Sequence, residues 1–284
     1  MKNVLCLLGA VALAGIVGSP VRAEEPGPGK VIRIIREEIK PARTAAHARA
    51  EAAYVRAARA SKVPAYWVGM ASLTGATEAW FLSSYESYEA LEKENDTFNP
   101  AVGKMLEAAD EGDAQFRTGT RVYHAELNAD LSYRMRPSLQ DMRYVSVTIV
   151  RVKPGYGREY IELRKALTAA HAKANVDEHW ALYEVTSGAP MGTYLIFSGS
   201  STMKDEDTDP HTQAYRDVVG DEGRAKAEAF NRAGLQAVDT MTMEISPQMS
   251  HVPAAWISAR PGFWKLPLAK AATAAAKSPA PAKP

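Results

Sequence analysis

Two histidines stand where acid–base chemistry could be done. His47 falls on the apolar stripe of a helical pattern, with Tyr54 two turns along it. His124 lies in an alternating strand pattern, Thr120–Leu127, with Glu126 two residues on. If that strand neighbours the one containing Arg33 and Glu37, and a second one containing Glu244, an imidazole gathers carboxylates that would raise its pKa and suit it as a general base. The same charges could instead pair and seal an interface. Trp67, Trp80 and Trp180 offer flat apolar faces on which an aromatic ligand could stack.

Other chemistries find less support. None of the six histidines shows His-x-x-Glu-His or another close metal-ligand spacing, so no metal is expected. There is no nucleotide fingerprint, no phosphate-cradling glycine loop and no defensible Ser-His-Asp order. The net charge of +1 gives no basic excess for nucleic acid.

These residues are positioned by a repeat. Lys40-Pro41 recurs as Lys153-Pro154, Trp67 as Trp180, Gly75-Ala76 as Gly188-Ala189 and Leu82 as Leu195, an offset of 113 residues. The offset is 111 at Asp110-Glu111-Gly112 and 118 at Glu126, which meets Glu244. Each copy reads strand, helix, hairpin, helix, strand. The first strands are Val31–Ile39 and Tyr144–Val152. Each is followed by a Pro placed at a helix start. The stripe His47, Ala50, Tyr54, Ala57, Ser61 answers to Tyr160, Leu163, Leu167, Ala170, Ala174. Hairpins are expected from Ala65–Leu73 with Glu78–Ser84, and from His179–Thr186 with Thr193–Ser198. The second helices are read as Pro100–Arg117 and His211–Ala233, with the Asp-Glu-Gly triplets kinking or restarting them. The last strands are Thr120–Leu127 and Ala237–Ile245.

The fold class is therefore α+β: two tandem ferredoxin-like βαββαβ repeats, at 24–135 and 136–264. Each makes an antiparallel sheet with one bare face, and the two cover each other as an intramolecular α/β barrel, a pseudo-dimer within one chain. Val145, Val147 and Ile149 are assigned to the helices. Tyr144, Ser146 and Thr148 are assigned to the barrel, and by the repeat offset so are Arg33, Ile35 and Glu37 in the first copy.

The run Val145–Gly155, then a helix, His179-Trp180 and a Gly-containing hairpin, resembles the dimeric α/β-barrel superfamily. The similarity is greatest to its NIPSNAP-type and antibiotic-biosynthesis-monooxygenase-type domains, and it spans most of Val31–Glu244. Ala42 departs from it where the second copy has Gly155. The resemblance implies the fold. Its chemistries range from cofactor-free oxygenation and isomerisation to haem enzymes and proteins with no known activity. By that resemblance a helical histidine such as His171 could ligate haem, but no Cys-x-x-Cys-His is present and no cofactor is expected.

The ends read differently. Residues 1–23 have the form of a signal peptide: Met1-Lys2-Asn3, an uncharged apolar Val4–Gly18, and Val21-Arg22-Ala23 before the cut. Removing Lys2 and Arg22 takes the net charge from +1 to −1. Cys6, the single cysteine, would go with it, excluding disulfides and thiolate chemistry. Residues 265–284 are an Ala/Pro/Lys tail expected to be disordered. The reading is an exported protein, periplasmic or secreted, without a membrane span in the mature chain. It would bind a small apolar or aromatic molecule, or act as a cofactor-free monooxygenase or isomerase with a His base, or be a structural protein with a filled barrel.

Overall fold

The computed structural model describes residues 28–265 apart from 137, 208 and 210. The expected leader, and the tail beyond Lys265, lie outside the described residues. The first repeat comprises β1 (Val31–Ile39), α1 (Thr44–Ser61), β2 (Val68–Ser72), β3 (Glu78–Tyr85), α2 (Tyr88–Ala114) and β4 (Arg117–Leu127). The second comprises β5 (Tyr144–Val152), α3 (Gly157–Lys173), β6 (Ala181–Ser187), β7 (Thr193–Ser200), α4 (Gln213–Ala233) and β8 (Leu235–Ile245), followed by the short helices α5 (Ala254–Ala259) and α6 (Pro261–Trp264). Both are βαββαβ units.

Within each unit the strands run in the order β4-β1-β3-β2 or β8-β5-β7-β6. The units join where β2 pairs with β8 and β4 with β6, closing an eight-stranded antiparallel barrel. Closure leaves no sheet edge unpaired. The registers define the repeat. Tyr123 stands opposite Ile34 and Met241 opposite Val147, the offset of 118 read from the last strands. Leu82 also stands opposite Ile34, but Val147 faces Phe197. The counterpart of Leu82 is therefore Phe197, not Leu195, because the second hairpin is longer.

The expected faces are reversed. Val145, Val147 and Ile149 pack in one core with Ile32, Ile34, Met70, Trp80, Leu195, Met241 and Met243, so they point into the barrel. Arg33 instead bonds Asn95 and Glu94 of α2, and Glu37 bonds His47 of α1. Ile35 packs with the separate helix-side cluster around Phe81. Tyr144, Ser146 and Thr148 alternate with the inward residues and face out. The cause is geometric. An eight-stranded barrel is just wide enough for side chains to fill it. Its interior takes an almost wholly apolar set, with the Arg36–Glu78 ion pair beside Trp80 as an exception, while the helix-covered face holds the charged residues around His47.

The helices also correct the expectation. On α1 the buried residues are His47, Glu51, Val55, Ala57 and Ala58, so the stripe is turned by about one residue and Tyr54 sits at its edge. Helix α2 begins at Tyr88, capped by the Ser87 hydroxyl, which accepts from the Ala90 N–H. It runs through Pro100 and through Asp110-Glu111-Gly112 without a break. The break occurs in α4 alone, at Gly220 (φ +64°), just before Asp221. Pro41 and Pro154 start turns rather than helices. Each turn closes by a bond from the fourth residue to the first, Arg43 N to Lys40 O at 3.1 Å and Tyr156 N to Lys153 O at 3.2 Å.

The segments leaving β4 and β8 cross to the opposite repeat. Tyr133 bridges Trp180, and His251 bridges Trp67. The Trp180 indole donates to the Leu131 carbonyl at 2.8 Å, and the Trp67 indole to that of Met249 at 2.7 Å. Ser132 Oγ accepts from Leu182 N, and Ser250 Oγ from Gly69 N, both at 2.9 Å. The chain then ends its described course with Trp256 and Trp264 buried.

Candidate functional site

Two places could serve a ligand. The first is a chamber of about 110 Å³ at the end of the barrel where β1, β2, β5 and β6 begin. Its wall is built from equivalent positions of the two repeats: Ile32 and Val145, Val68 and Ala181, Leu82 and Phe197, Trp67 and Trp180. The post-β8 segment closes it with Val252, Pro253 and Trp256, and the inter-repeat connection adds Leu139. The lining is mostly apolar, with His179 and His251 among its polar members.

His251 is the more informative of these. Its Nδ1 lies 2.7 Å from the Ala65 carbonyl, which can only accept, so Nδ1 carries the proton. Burial lowers its pKa; the Ala65 bond works against this, and the charge of Arg59 adds to it. In the neutral ring Nε2 is then an acceptor. His179 is held the same way, with Nδ1 2.6 Å from the Arg134 carbonyl.

The second place is a buried charged cluster between α1, α2 and the outer face of β1. His47 Nε2 lies 2.8 Å from Glu37 Oε2, 3.5 Å from Asp113 Oδ2 and 3.8 Å from Glu51 Oε1. Arg117, at the start of β4, reaches Glu37 at 2.7 Å and Asp113 at 2.9 Å, and also binds Asp110. Burial, reinforced by Glu37 and Asp113, pushes the Glu51 carboxyl up to about 9. Burial likewise raises Asp113, against the charges of His47 and Arg117. Burial also opposes the charge on Arg117, but the bond to Asp110 and the Glu37 charge outweigh it and raise its pKa. His47 is 1% exposed, so no substrate reaches it as the chain stands.

The structure separates the remaining sequence candidates. Trp67 and Trp180 line the chamber. Trp80 does not: it lies inside the barrel, donating to Glu78 at 2.8 Å under the Arg36 guanidinium. Tyr54 donates to Asp110 at 3.0 Å, on the rim of the charged cluster. Arg33, His124 and Glu126 share the outward face of β1 and β4, away from the chamber, and Glu244 pairs with Arg143. Among the described residues no carboxylate forms an ion pair with His124, whose cross-strand neighbour is Arg33. Burial, then Arg33, lowers its pKa instead of raising it.

His171 is buried. Nδ1 lies 2.8 Å from the Leu167 carbonyl and Nε2 3.1 Å from Glu178, with the Trp180 and Tyr215 rings at 4.9 and 4.3 Å. Both nitrogens are engaged and the flanking rings occupy the space a macrocycle would take, so these residues do not fit a haem.

Sequence reasoning missed Glu51, Asp113, Arg117 and His251. Glu51 follows His47 by four residues, one helical turn, which was a legible signal. Asp113 and His251 approach only through tertiary packing.

No protein-family model matches the chain, and no curated protein matches it. Solved structures do. A candidate monooxygenase from Fusobacterium nucleatum subsp. nucleatum superposes with a TM-score of 0.52 at 12% identity, over 76% of this chain and 91% of that one. A candidate monooxygenase from Lactobacillus acidophilus gives 0.48 at 11% identity, over 78% and 98%. An anthrone oxidase-like protein gives 0.48 at 15% identity, over 76% and 92%. The first of these carries the comparison: the chain has the dimeric α+β barrel fold.

Proposed function

We propose that this dimeric α+β barrel protein binds a small aromatic or apolar molecule in the barrel-end chamber. The observation that carries the reading is the wall itself, apolar and aromatic, drawn from matching positions of both repeats, with the acceptor-bearing His251 beside it. Ligand sites are typically apolar cavities with few polar groups. A cavity of about 150 Å³ accepts benzene. At about 110 Å³ the chamber is smaller than that, so a single ring is the largest group it takes without side chains moving, and a ring hydroxyl could donate to His251 Nε2.

The test is a titration of tryptophan fluorescence with single-ring phenols and indole, since Trp67, Trp180 and Trp256 all line the chamber. Saturable quenching is expected, and it should disappear in Ala181→Phe, which fills the space. Absence of saturation by every ring tried, in protein that is folded, would overturn the reading.

The neutral imidazole of His251 favours one second reading, the cofactor-free oxygenation or isomerisation of the bound molecule. There His251 would remove a proton from the ligand, a role the sequence had given to His47 or His124. His251→Gln would then abolish turnover while ligand quenching persists. Export through residues 1–23 belongs to the same proposal, and N-terminal sequencing of the protein from its host is expected to begin at Glu24.

A further inference from the structure

We propose that Glu37, His47, Glu51 and Asp113 form a buried site for one divalent first-row transition metal ion, separate from the chamber. One potential ligand atom from each residue lies within 4.8 Å of all the others. Ligand atoms about 2.1 Å from a zinc-like centre stand about 3.4 Å apart in a tetrahedron. The separations from His47 Nε2 are 2.8, 3.5 and 3.8 Å. The four side chains come from three elements, β1, α1 and α2, with His47 and Glu51 one turn apart on α1.

Two further observations point to a cation. Asp113 is fully buried, and beyond the Arg117 Nε at 2.9 Å and the facing Glu51 carboxyl neither of its oxygens has a hydrogen-bond donor. Three carboxylates also converge on one imidazole and one guanidinium, the oxygen-rich surroundings that a divalent cation takes.

The second repeat shows that the fold does not require such a cluster. Val150, Tyr160 and Arg164 stand at the positions of Glu37, His47 and Glu51, and Tyr160 packs on Tyr194 and Phe230 at 4.5 and 5.7 Å. A packed aromatic solution exists on the same scaffold, so the carboxylates answer to something other than packing.

An imidazole among the ligands favours Zn²⁺ or Fe²⁺ over Mg²⁺ and Ca²⁺, and the three carboxylates also admit Mn²⁺. The closed surroundings mark a structural rather than a catalytic ion. Arg117 would support the carboxylates from outside. The ion would clamp α1 and α2 to the barrel.

The experiment uses the full chain, unfolded with chelator and refolded with Zn²⁺, Mn²⁺ or no metal, then desalted. Elemental analysis should find one equivalent per chain, with a higher melting temperature than the metal-free protein. Pulsed EPR of the Mn²⁺ form should show one imidazole nitrogen. Glu51→Gln and Asp113→Asn, both nearly isosteric, should bind at least tenfold more weakly. Should either misfold, the imidazole signal of the unmodified chain still decides. Retention of less than a tenth of an equivalent, a spectrum without imidazole, or equal retention by both folded variants would overturn the site. None of these outcomes bears on the chamber.

Discussion

Arg117 holds like charges together. In the metal-free protein its guanidinium is the cation shared by Glu37, Asp113 and Asp110. Removing one partner of a buried ion network leaves uncompensated charge and costs about 3–5 kcal/mol. Arg117→Ala is expected to lose that much in urea unfolding. Glu51→Gln should change the same metal-free stability by less than about 1 kcal/mol. With its carboxyl raised to about 9, Glu51 is already neutral near pH 7, and the amide copies its shape. His251 sets a pH dependence of its own. Its folded pKa is lowered, chiefly by burial, below the value of about 6.5 in the unfolded chain. As pH falls through about 6.5 the unfolded state takes up the proton first, so stability present above that pH is lost below it. The titratable and charged neighbours are few: Arg59 acts on the ring by charge, and the Tyr66 ring packs against it at 5.3 Å. Urea midpoints between pH 5 and 8 should therefore slope more steeply for the unmodified chain than for His251→Gln. Parallel slopes would remove His251 from the account.

At the scale of elements, the Lys-Pro turn shows what the two copies share and where they differ. Gly155 adopts φ +90° and its counterpart Ala42 φ +60°, both in the left-handed region. That region costs an L-residue roughly 1–2 kcal/mol. A glycine relieves it but enlarges the freedom of the unfolded chain, returning about 0.4–1 kcal/mol. Ala42→Gly is thus expected to stabilise by roughly 0.5–1 kcal/mol, read from the shift in thermal or urea midpoint, and a loss of stability would contradict the turn assignment. The same turn explains what could be read early. Strand alternation, the Lys-Pro pairs and the 118-residue offset of β4 and β8 are local patterns, and they yielded the element order and the barrel. The direction of each face was not local. Val145, Val147 and Ile149 suit a helix-covered face as well as a barrel interior, and only closure decides between them. The Asp-Glu-Gly match misled because the helix ends pair otherwise: Lys40 Nζ binds Gln115 O as Lys153 Nζ binds Ala233 O. Those ends keep the offset of 118, which puts the triplets seven residues out of step. Seven residues are close to two helical turns, so the match keeps the same helix face while missing the position. In the candidate sites, His47 and the tryptophans at 67 and 180 were legible from spacing. Asp113 and His251 were not, because nothing near them in the chain marks their partners.

The whole molecule is one barrel made from two incomplete sheets. Among the described residues no helix is long and apolar enough to cross a membrane. Each half on its own would present its inner face to water, with Ile32, Ile34, Met70 and Trp80 on one side of the cut and Val145, Val147, Leu195 and Met243 on the other. Each such side chain contributes about 1.5–3 kcal/mol when buried. The total stability of a domain is only about 5–15 kcal/mol. The strands β2 and β4 would also lose their partners β8 and β6 and become open edges. The crossing segments would be lost as well: Trp67 takes its indole acceptor from Met249, and Trp180 takes its own from Leu131. Chains cut between the repeats, 24–135 and 136–284, are therefore expected to be unfolded or self-associated when made separately. Mixed at equal concentration they should recover the far-ultraviolet circular dichroism of the intact chain and elute at its size. The association would be concentration-dependent, because the covalent connection no longer supplies the partner. A half that stays folded and monomeric by itself would mean that its sheet is covered from within its own sequence. The shared interior would then not be what holds the molecule together.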